Sequence, residues 1–65
     1  MNQGLVRQYA EESPHTLRTF QQSGSWYDGD TFKLEDNKWM RIEHGAVVLY
    51  DGQEQLGTCT IEALL

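Results

Sequence analysis

The residues of this chain that could do chemistry are few and scattered. His15 and His44 have no nucleophile at a recognisable spacing, so no catalytic dyad or triad can be assembled. Cys59 is the single cysteine, which excludes an intramolecular disulfide, and two histidines with one cysteine do not match any closed zinc site. The sequence therefore predicts a protein that is not an enzyme and that holds no cofactor or metal.

Carboxylates are the next candidates for a site. The residues D-G-D-T at 28–31, followed by Arg41-Ile42, locally resemble staphylococcal-nuclease-like proteins. The resemblance implies that Asp30 would bind calcium and that Arg41 would contact a phosphate. It covers only residues 28–42, and the D-x-P-E-type segment that follows in that family is replaced here by E-H-G-A. We interpret 28–31 as a turn leading into a strand, and a minimal metal-dependent nuclease built on Asp30, Arg41 and Glu43 is an alternative.

A third group consists of aromatic side chains and one arginine. Its members are Phe32, Trp39, Arg41 and Tyr50. These residue types are enriched at the centres of protein interfaces. Aromatic side chains on a sheet can also stack the bases of single-stranded nucleic acid. Whether they act together depends on the elements that carry them.

The N-terminal third, residues 1–24, predicts helices. Ser13-Pro14 is typical of a helix start, with serine as the N-cap and proline in the first turn. Leu17 and Phe20 then follow at helical spacing, which predicts a helix over 14–22. A weaker pattern predicts a helix over 4–12, and a single helix kinked at Pro14 is the alternative.

Residues 26–65 predict an antiparallel β-meander. Runs rich in Val, Ile, Thr and aromatic residues are separated by pairs of turn-forming residues. The predicted turns are Asp36-Asn37, His44-Gly45 and Asp51-Gly52, and the predicted strands are 30–35, 38–43, 46–50 and 54–62. The fold class is therefore α+β, one domain over residues 1–65, with helices packed on a sheet that is either open or curled into a small barrel.

Two-residue turns fix the register and sort the side chains into two faces. The predicted aliphatic face, where the helices would pack, carries Thr31, Lys33, Met40, Ile42, Val47, Leu49 and Leu56. The predicted aromatic face carries Phe32, Leu34, Trp39, Arg41, Val48 and Tyr50, with Asp30 and Glu43 facing each other at one end. This second face is either a second core inside a curled sheet, or an exposed binding surface, or a stacking platform for nucleic acid that would also use Arg41, Lys33 and Lys38. The third hairpin fits least well, because its register places Glu54 beside Leu49.

The net charge of −5 is concentrated on the predicted sheet. Eight of the ten carboxylates lie in residues 26–65, among them Glu35, Asp36 and Asp51 near the turns. Such a surface repels phosphate backbones and anionic lipid and suits a basic protein partner. We therefore expect a protein partner, with nucleic acid and membrane disfavoured.

Chain length and segment types add weaker expectations. A chain of 65 residues buries a small core, so self-association is one way in which it could gain stability. A lone thiol without a signal peptide or an apolar spanning segment favours the cytoplasm. The initial methionine suggests a complete small protein. Taken together, the sequence predicts a small acidic protein-binding module that acts as a regulator, inhibitor or assembly subunit, of the type that phages and plasmids encode against nucleic-acid-handling proteins. Predicted contacts are Phe32, Trp39, Arg41, Tyr50, Glu35, Asp36 and Asp51.

Overall fold

The computed structural model describes residues 2–65, and side chains from residue 4 onwards. Its elements in chain order are helix α1 (Asn2–Glu11), helix α2 (Pro14–Gln22), strands β1 (Thr31–Lys33), β2 (Lys38–Glu43), β3 (Ala46–Asp51) and β4 (Glu54–Thr60), and a 3₁₀ turn at Glu62–Leu64. The α+β class is confirmed. The two helices are separate, and both lie on one face of the sheet, with α1 packed against β4 and α2 against β1.

Ser13 joins the helices to the sheet in a way that its sequence context did not predict. Pro14 begins α2 as expected, but the Ser13 side chain does not cap that helix. Its hydroxyl instead accepts a hydrogen bond of 2.9 Å from the backbone N–H of Glu35. Thr16, in the first turn of α2, donates to the carbonyl of Lys33 at 2.9 Å. The start of α2 is therefore anchored to the end of β1.

The four strands form a single antiparallel meander in the order β1-β2-β3-β4. The prediction of a meander is confirmed. The barrel alternative is wrong for the described residues, because β1 and β4 lie at opposite edges of the sheet and do not pair.

The central hairpin has the predicted turn and the predicted register. His44 and Gly45 both have positive φ, 54° and 78°, as a type I′ turn requires. The pairs run from Glu43 opposite Ala46 to Trp39 opposite Tyr50. Two-residue turn chemistry therefore sufficed to place β2 against β3.

The first hairpin has the predicted turn but not the predicted register. Asp36 and Asn37 adopt φ of 57° and 63°, yet the N–H of Leu34 donates to the carbonyl of Lys38 at 2.8 Å. Leu34 and Glu35 thus both face Lys38, which is a β-bulge. The bulge shifts β1 by one residue.

A one-residue shift reverses the faces of a strand, so the predicted faces are wrong for β1. Phe32 lies opposite Met40, and Phe32 and Leu34 point toward the helices. Thr31 and Lys33 consequently lie on the same face as Trp39. Phe32 therefore leaves the predicted partner-binding set.

The third hairpin also differs from the prediction. Its turn is Gly52-Gln53, closed by the pair Asp51 and Glu54, with positive φ at Gly52 only. This is the type II′ arrangement, which favours glycine at the first turn position. The predicted pairing of Leu49 with Glu54 is wrong.

A second bulge lies just beyond this turn. Tyr50 pairs with Gln55, whereas Leu49 pairs with Gly57, so Leu56 has no direct partner on β3. Beyond the bulge, successive side chains of β4 again alternate between the two faces of the sheet. Gly57, and not Glu54, therefore lies opposite the buried Leu49.

The core fills the space between the helices and the sheet. Its fully buried larger side chains are Val6, Phe20, Met40, Ile42, Val47, Leu49 and Leu64. Phe20 packs edge-on against Phe32, with ring centroids 5.2 Å apart, and against Trp26 at 5.5 Å. The apolar C-terminal segment contributes Leu64 to this core, whereas Leu65 is exposed.

Candidate functional site

The sheet face opposite the helices is the candidate site, and we call it the open face. Within residues 2–65 no element packs over it. Its side chains are Thr31, Lys33, Trp39, Arg41, Glu43, Ala46, Val48, Tyr50, Gln55, Thr58 and Thr60. Val48 is nonetheless only 6% exposed, so its neighbours on the same face shield it.

Two aromatic rings at the middle of the open face are stacked on each other. Trp39 on β2 and Tyr50 on β3 are directly opposite, with ring centroids 4.4 Å apart and an interplanar angle of 15°. The indole N–H of Trp39 donates to the carbonyl of Gly52 at 2.8 Å. Because both the stack and this hydrogen bond restrain the indole, the ring pair is held in place without a partner.

The other end of Tyr50 is held by a carboxylate. Its hydroxyl donates to Oε2 of Glu43 at 2.5 Å, and Nε of Arg41 lies 3.9 Å from the same oxygen. The hydrogen bond to Glu43 raises the pKa of the Tyr50 phenol, and burial adds to this. The phenol is therefore a donor at neutral pH, while much of the Arg41 side chain stays exposed, 47% by area.

A groove lies beside Trp39. It has a volume of about 220 Å³ and is lined by Thr31, Lys33, Lys38 and Trp39. The ammonium of Lys38 is turned away from the open face, 4.7 Å from the Tyr9 ring and 3.9 Å from a carboxylate oxygen of Asp51. Lys33, which lies opposite Trp39 in the ladder, is thus the cation that the groove presents.

The turns at one end of the sheet gather negative charge. The N–H of Gly52 donates to the carbonyl of Asn37 at 3.3 Å, which brings the first and third hairpin turns together. Four of the carboxylates of these turns define what we call the acidic end: Glu35, Asp36, Asp51 and Glu54. Asp51 is partly neutralised by Lys38, whereas Glu35, Asp36 and Glu54 are exposed to solvent.

The carboxylates that would make a nuclease-like site are not brought together. The bulge places the backbone of Asp30, instead of Thr31, opposite Ile42, so Asp30 does not face Glu43 as the predicted register had it. The Asp30 carboxylate accepts a hydrogen bond of 3.1 Å from the N–H of Tyr27 and closes the local turn. No group of three or more His, Cys, Asp or Glu side chains in the described part of the chain could hold a metal ion.

A second hollow, of about 290 Å³, lies at the opposite end of β2 and includes Asp28, Arg41, Glu43 and His44. The carboxylate of Asp28 accepts a hydrogen bond from the N–H of Gly45 at 3.1 Å, so it serves to fix the neighbouring turn. His44 is a turn residue with positive φ, as the hairpin prediction required. His15 is an exposed residue of α2, and no shared site includes the two histidines.

Cys59 lies on the core face of β4, opposite Val47. It is 6% exposed, and burial raises the pKa of its thiol. Burial thus disfavours the thiolate, which is the reactive form, so Cys59 serves as a packing residue.

The structure therefore changes the predicted contact set in a defined way. Trp39, Arg41 and Tyr50 lie together on the open face, and Glu35, Asp36 and Asp51 lie at the acidic end. Phe32 lies on the opposite face, partly buried against the core. Residues that the predicted contact set did not include are Thr31 and Lys33, which the bulge turned outward, and Glu43, which holds Tyr50. The signal for Glu43 was its position on the same face as Tyr50 in the predicted register.

Comparisons with known proteins identify no relative: no protein-family model matches the chain, and searches of curated proteins and of solved structures return no match. No helix in the described residues is both long enough and apolar enough to cross a membrane. The fold and the candidate site define a two-layer α+β protein in which one face of the sheet is uncovered.

Proposed function

We propose that this chain is a protein-binding module that docks on a basic protein through its open face, acting as a regulator, inhibitor or assembly subunit and not as an enzyme. The observation that carries the proposal is the Trp39–Tyr50 stack, which lies on an uncovered face and is already restrained at both ends.

Preorganised aromatic side chains suit binding because little rotamer freedom is lost when a partner arrives. Ordering a rotamer-rich side chain at an interface costs about 0.5–1.5 kcal/mol. Trp39 and Tyr50 meet that cost within the folded chain, through the Gly52 carbonyl and the Glu43 carboxylate. Arg41 and Lys33 stand beside them as polar groups at the edge of the aromatic pair. An aromatic centre with a polar rim is typical of protein interfaces.

The acidic end adjoins this aromatic pair, since the carbonyl that holds Trp39 belongs to the turn next to Asp51. A carboxylate cluster at the margin of an interface steers a positively charged partner toward it and speeds association at low salt. Basic surfaces that handle nucleic acid are one class of partner with this charge. The proposed inhibitor role follows from the charge complementarity between the acidic end and such a basic surface.

Binding of single-stranded nucleic acid is supported less well than it was by sequence alone. Phe32 is packed in the core, which removes one of three expected stacking rings. One face of the Trp39 indole is already taken by Tyr50, and the acidic end repels phosphate. Lys33, opposite Trp39 in the ladder, and the exposed Arg41 on the same face are the features that favour this alternative.

The test is affinity capture from cells of the native source with Trp39→Ala beside the unchanged protein. Loss of a central aromatic contact costs about 2 kcal/mol or more, so we expect the Kd for a specific basic protein to rise by about 30-fold and its capture to fall accordingly. Tyr27→Ala is the matched control, because Tyr27 is an aromatic residue with 70% exposure in the loop before β1. It should capture the partner as the unchanged chain does.

Charge reversal separates the acidic end from the aromatic pair. A Glu35→Lys, Asp36→Lys, Glu54→Lys variant should bind the same partner more weakly and with a smaller dependence on salt, whereas Glu62→Lys, outside this end, should not. Circular dichroism must show that Trp39→Ala is folded. Equal capture by folded Trp39→Ala and by the unchanged chain would remove the open face as the docking surface.

A further inference from the structure

The two edges of the sheet are treated differently by the rest of the chain. At the β1 edge, Thr16 donates to the carbonyl of Lys33 and Ser13 accepts from the N–H of Glu35. These hydroxyls occupy backbone groups that point away from β2. The β1 edge is also only three residues long, so it offers little backbone to another strand.

The β4 edge has no such hydrogen-bonded cover, and α1 packs against the core face of this strand. It runs for seven residues, and within the described residues no hydrogen bond from outside the sheet reaches its backbone. Lysine and proline, the residues that commonly protect an edge strand, do not occur between Glu54 and Thr60. The bulge at Leu56 disturbs only the beginning of the strand.

The outward-pointing backbone groups of β4 can be assigned from the ladder. Antiparallel strands direct alternate residues toward opposite neighbours. Ile42 exchanges hydrogen bonds with Gly29 and Asp30 on the β1 side, so Arg41 bonds toward β3 and its partner Val48. Val48 therefore directs its N–H and carbonyl toward β2. Thr58 stands opposite Val48 and so points its own N–H and carbonyl outward. Thr60 follows with the same orientation.

We propose that the β4 edge binds an extended, lysine- or arginine-bearing segment of another protein as an added strand. Main-chain hydrogen bonds to an exposed edge supply the affinity in this mode of recognition, and alternate side chains supply the specificity. The backbone of Thr58 and Thr60 would make the central bonds.

Charge identifies the occupant. Glu54 begins β4 at one end of the edge, and Glu62 lies just beyond the other end. The neighbouring cation, Arg7 on α1, is already engaged by Glu11 and by the carbonyl of Ala63. An added strand with basic side chains would meet unlike charge at both ends.

A second copy of this chain is a poorer occupant for the same reason. Two β4 strands paired antiparallel about Thr58 would bring Glu54 of each copy to the end of the other copy's strand, where Glu62 follows. Like charges directly across a strand pair are destabilising. With a net charge of −5 on each chain, the repulsion is not confined to these pairs.

The test uses short synthetic peptides of alternating threonine or valine and lysine, with a glutamate version of the same sequence as the control probe. On adding the lysine peptide, amide hydrogen exchange at Thr58 and Thr60 should slow by about tenfold or more, as backbone N–H groups gain partners. The glutamate peptide should give no protection.

Variants identify the backbone as the binding group. Thr58→Pro removes an outward N–H, which edge strands tolerate, and should abolish binding of the lysine peptide. Thr58→Val is the matched control, because it also loses the hydroxyl that donates to Val47 but keeps the N–H. Thr60→Pro, at the end of the strand, repeats the test if Thr58→Pro fails to fold.

Three results would overturn the proposal: no protection by the lysine peptide, equal protection by the glutamate peptide, or a dimer in sedimentation that protects Thr58 without any peptide. The β4 edge acts through backbone and the open face through side chains, so Trp39→Ala should leave peptide addition unchanged. Failure of one proposal is thereby distinguished from failure of the other.

Discussion

Tyr50 is the residue on which the order of the open face depends. Its ring stacks on Trp39, and its hydroxyl reaches the Glu43 carboxylate near the far end of β2. One side chain thus spans the face diagonally and fixes two neighbours. The same hydrogen bond makes the phenol harder to ionise, which gives this arrangement a measurable signature.

We predict that Tyr50 ionises above the ordinary tyrosine pKa of about 10. The native state favours the neutral phenol, so its contribution to the free energy of unfolding is complete below the unfolded-state pKa. That contribution is lost as pH rises through the higher pKa of the folded state. Alkaline absorbance titration of the unchanged chain minus that of Tyr50→Phe isolates this tyrosine.

Glu43→Gln provides the control for the cause of the shift. The amide can still accept a hydrogen bond but carries no charge to oppose the tyrosinate, so the Tyr50 pKa should fall toward its ordinary value. If the difference titration gives the same midpoint in the unchanged chain and in Glu43→Gln, the negative charge of Glu43 does not govern the pKa of this phenol.

At the scale of elements, the sequence predicted the strands better than it predicted their alignment. His44-Gly45 specified both turn and register, because both residues tolerate positive φ and no bulge interrupts the pairing of β2 with β3. Asp36-Asn37 specified the turn alone. The bulge at Leu34 and Glu35 lies beside the long-range hydrogen bond from Glu35 to Ser13, and the two turn residues give no information about such a contact. Asp51-Gly52 misplaced the turn by one residue, because Gly52 can lead a type II′ turn as well as end a type I′ turn.

The candidate site was predicted to the extent that it depends on the central hairpin. Trp39, Arg41 and Tyr50 lie on one face because β2 and β3 have the predicted register. Phe32 was assigned to that face through the register of β1, and the bulge reversed it. The burial of Phe32 against Phe20 is a tertiary contact that no local pattern reveals.

Glycine substitutions test how far the turns hold these registers. Gly45→Ala should lower the free energy of unfolding by about 1–2 kcal/mol, because φ of 78° is costly for an L-residue with a Cβ. An added Cβ at Gly45 would meet no atom within 4 Å, so the effect is one of backbone conformation and not of a clash. Urea denaturation measures the change.

Gly4→Ala is the matched substitution with the opposite expected sign. Gly4 lies in α1, where an added Cβ again meets nothing within 4 Å. Alanine stabilises a helix relative to glycine by up to about 1 kcal/mol. A stabilised Gly4→Ala beside a destabilised Gly45→Ala would show that helix propensity and turn conformation act separately. A Gly45→Ala variant as stable as the unchanged chain would contradict the left-handed turn.

For the whole molecule, the distribution of apolar surface explains why one sheet face is free. The side chains of α1, α2 and the C-terminal 3₁₀ turn converge on the face that carries Met40, Ile42 and Leu49. Both α-helices of this 65-residue chain pack on that face. The open face is therefore left to solvent or to a partner, and the core that holds the fold together is confined to one layer.

Phe20 joins the parts of this core, since its ring contacts Trp26 in the loop and Phe32 on β1 while its carbonyl accepts the Trp26 indole N–H at 3.0 Å. Replacing a buried phenylalanine with alanine costs about 3–5 kcal/mol. A single core in a domain this small rarely supplies more than about 3–5 kcal/mol in total. We therefore expect Phe20→Ala to be largely unfolded at room temperature by circular dichroism, whereas Tyr27→Ala, an exposed aromatic truncation, should stay within about 0.5 kcal/mol of the unchanged chain. A cooperative thermal transition for Phe20→Ala close to that of the unchanged chain would mean that stability resides elsewhere, and association between copies would be the first explanation to test.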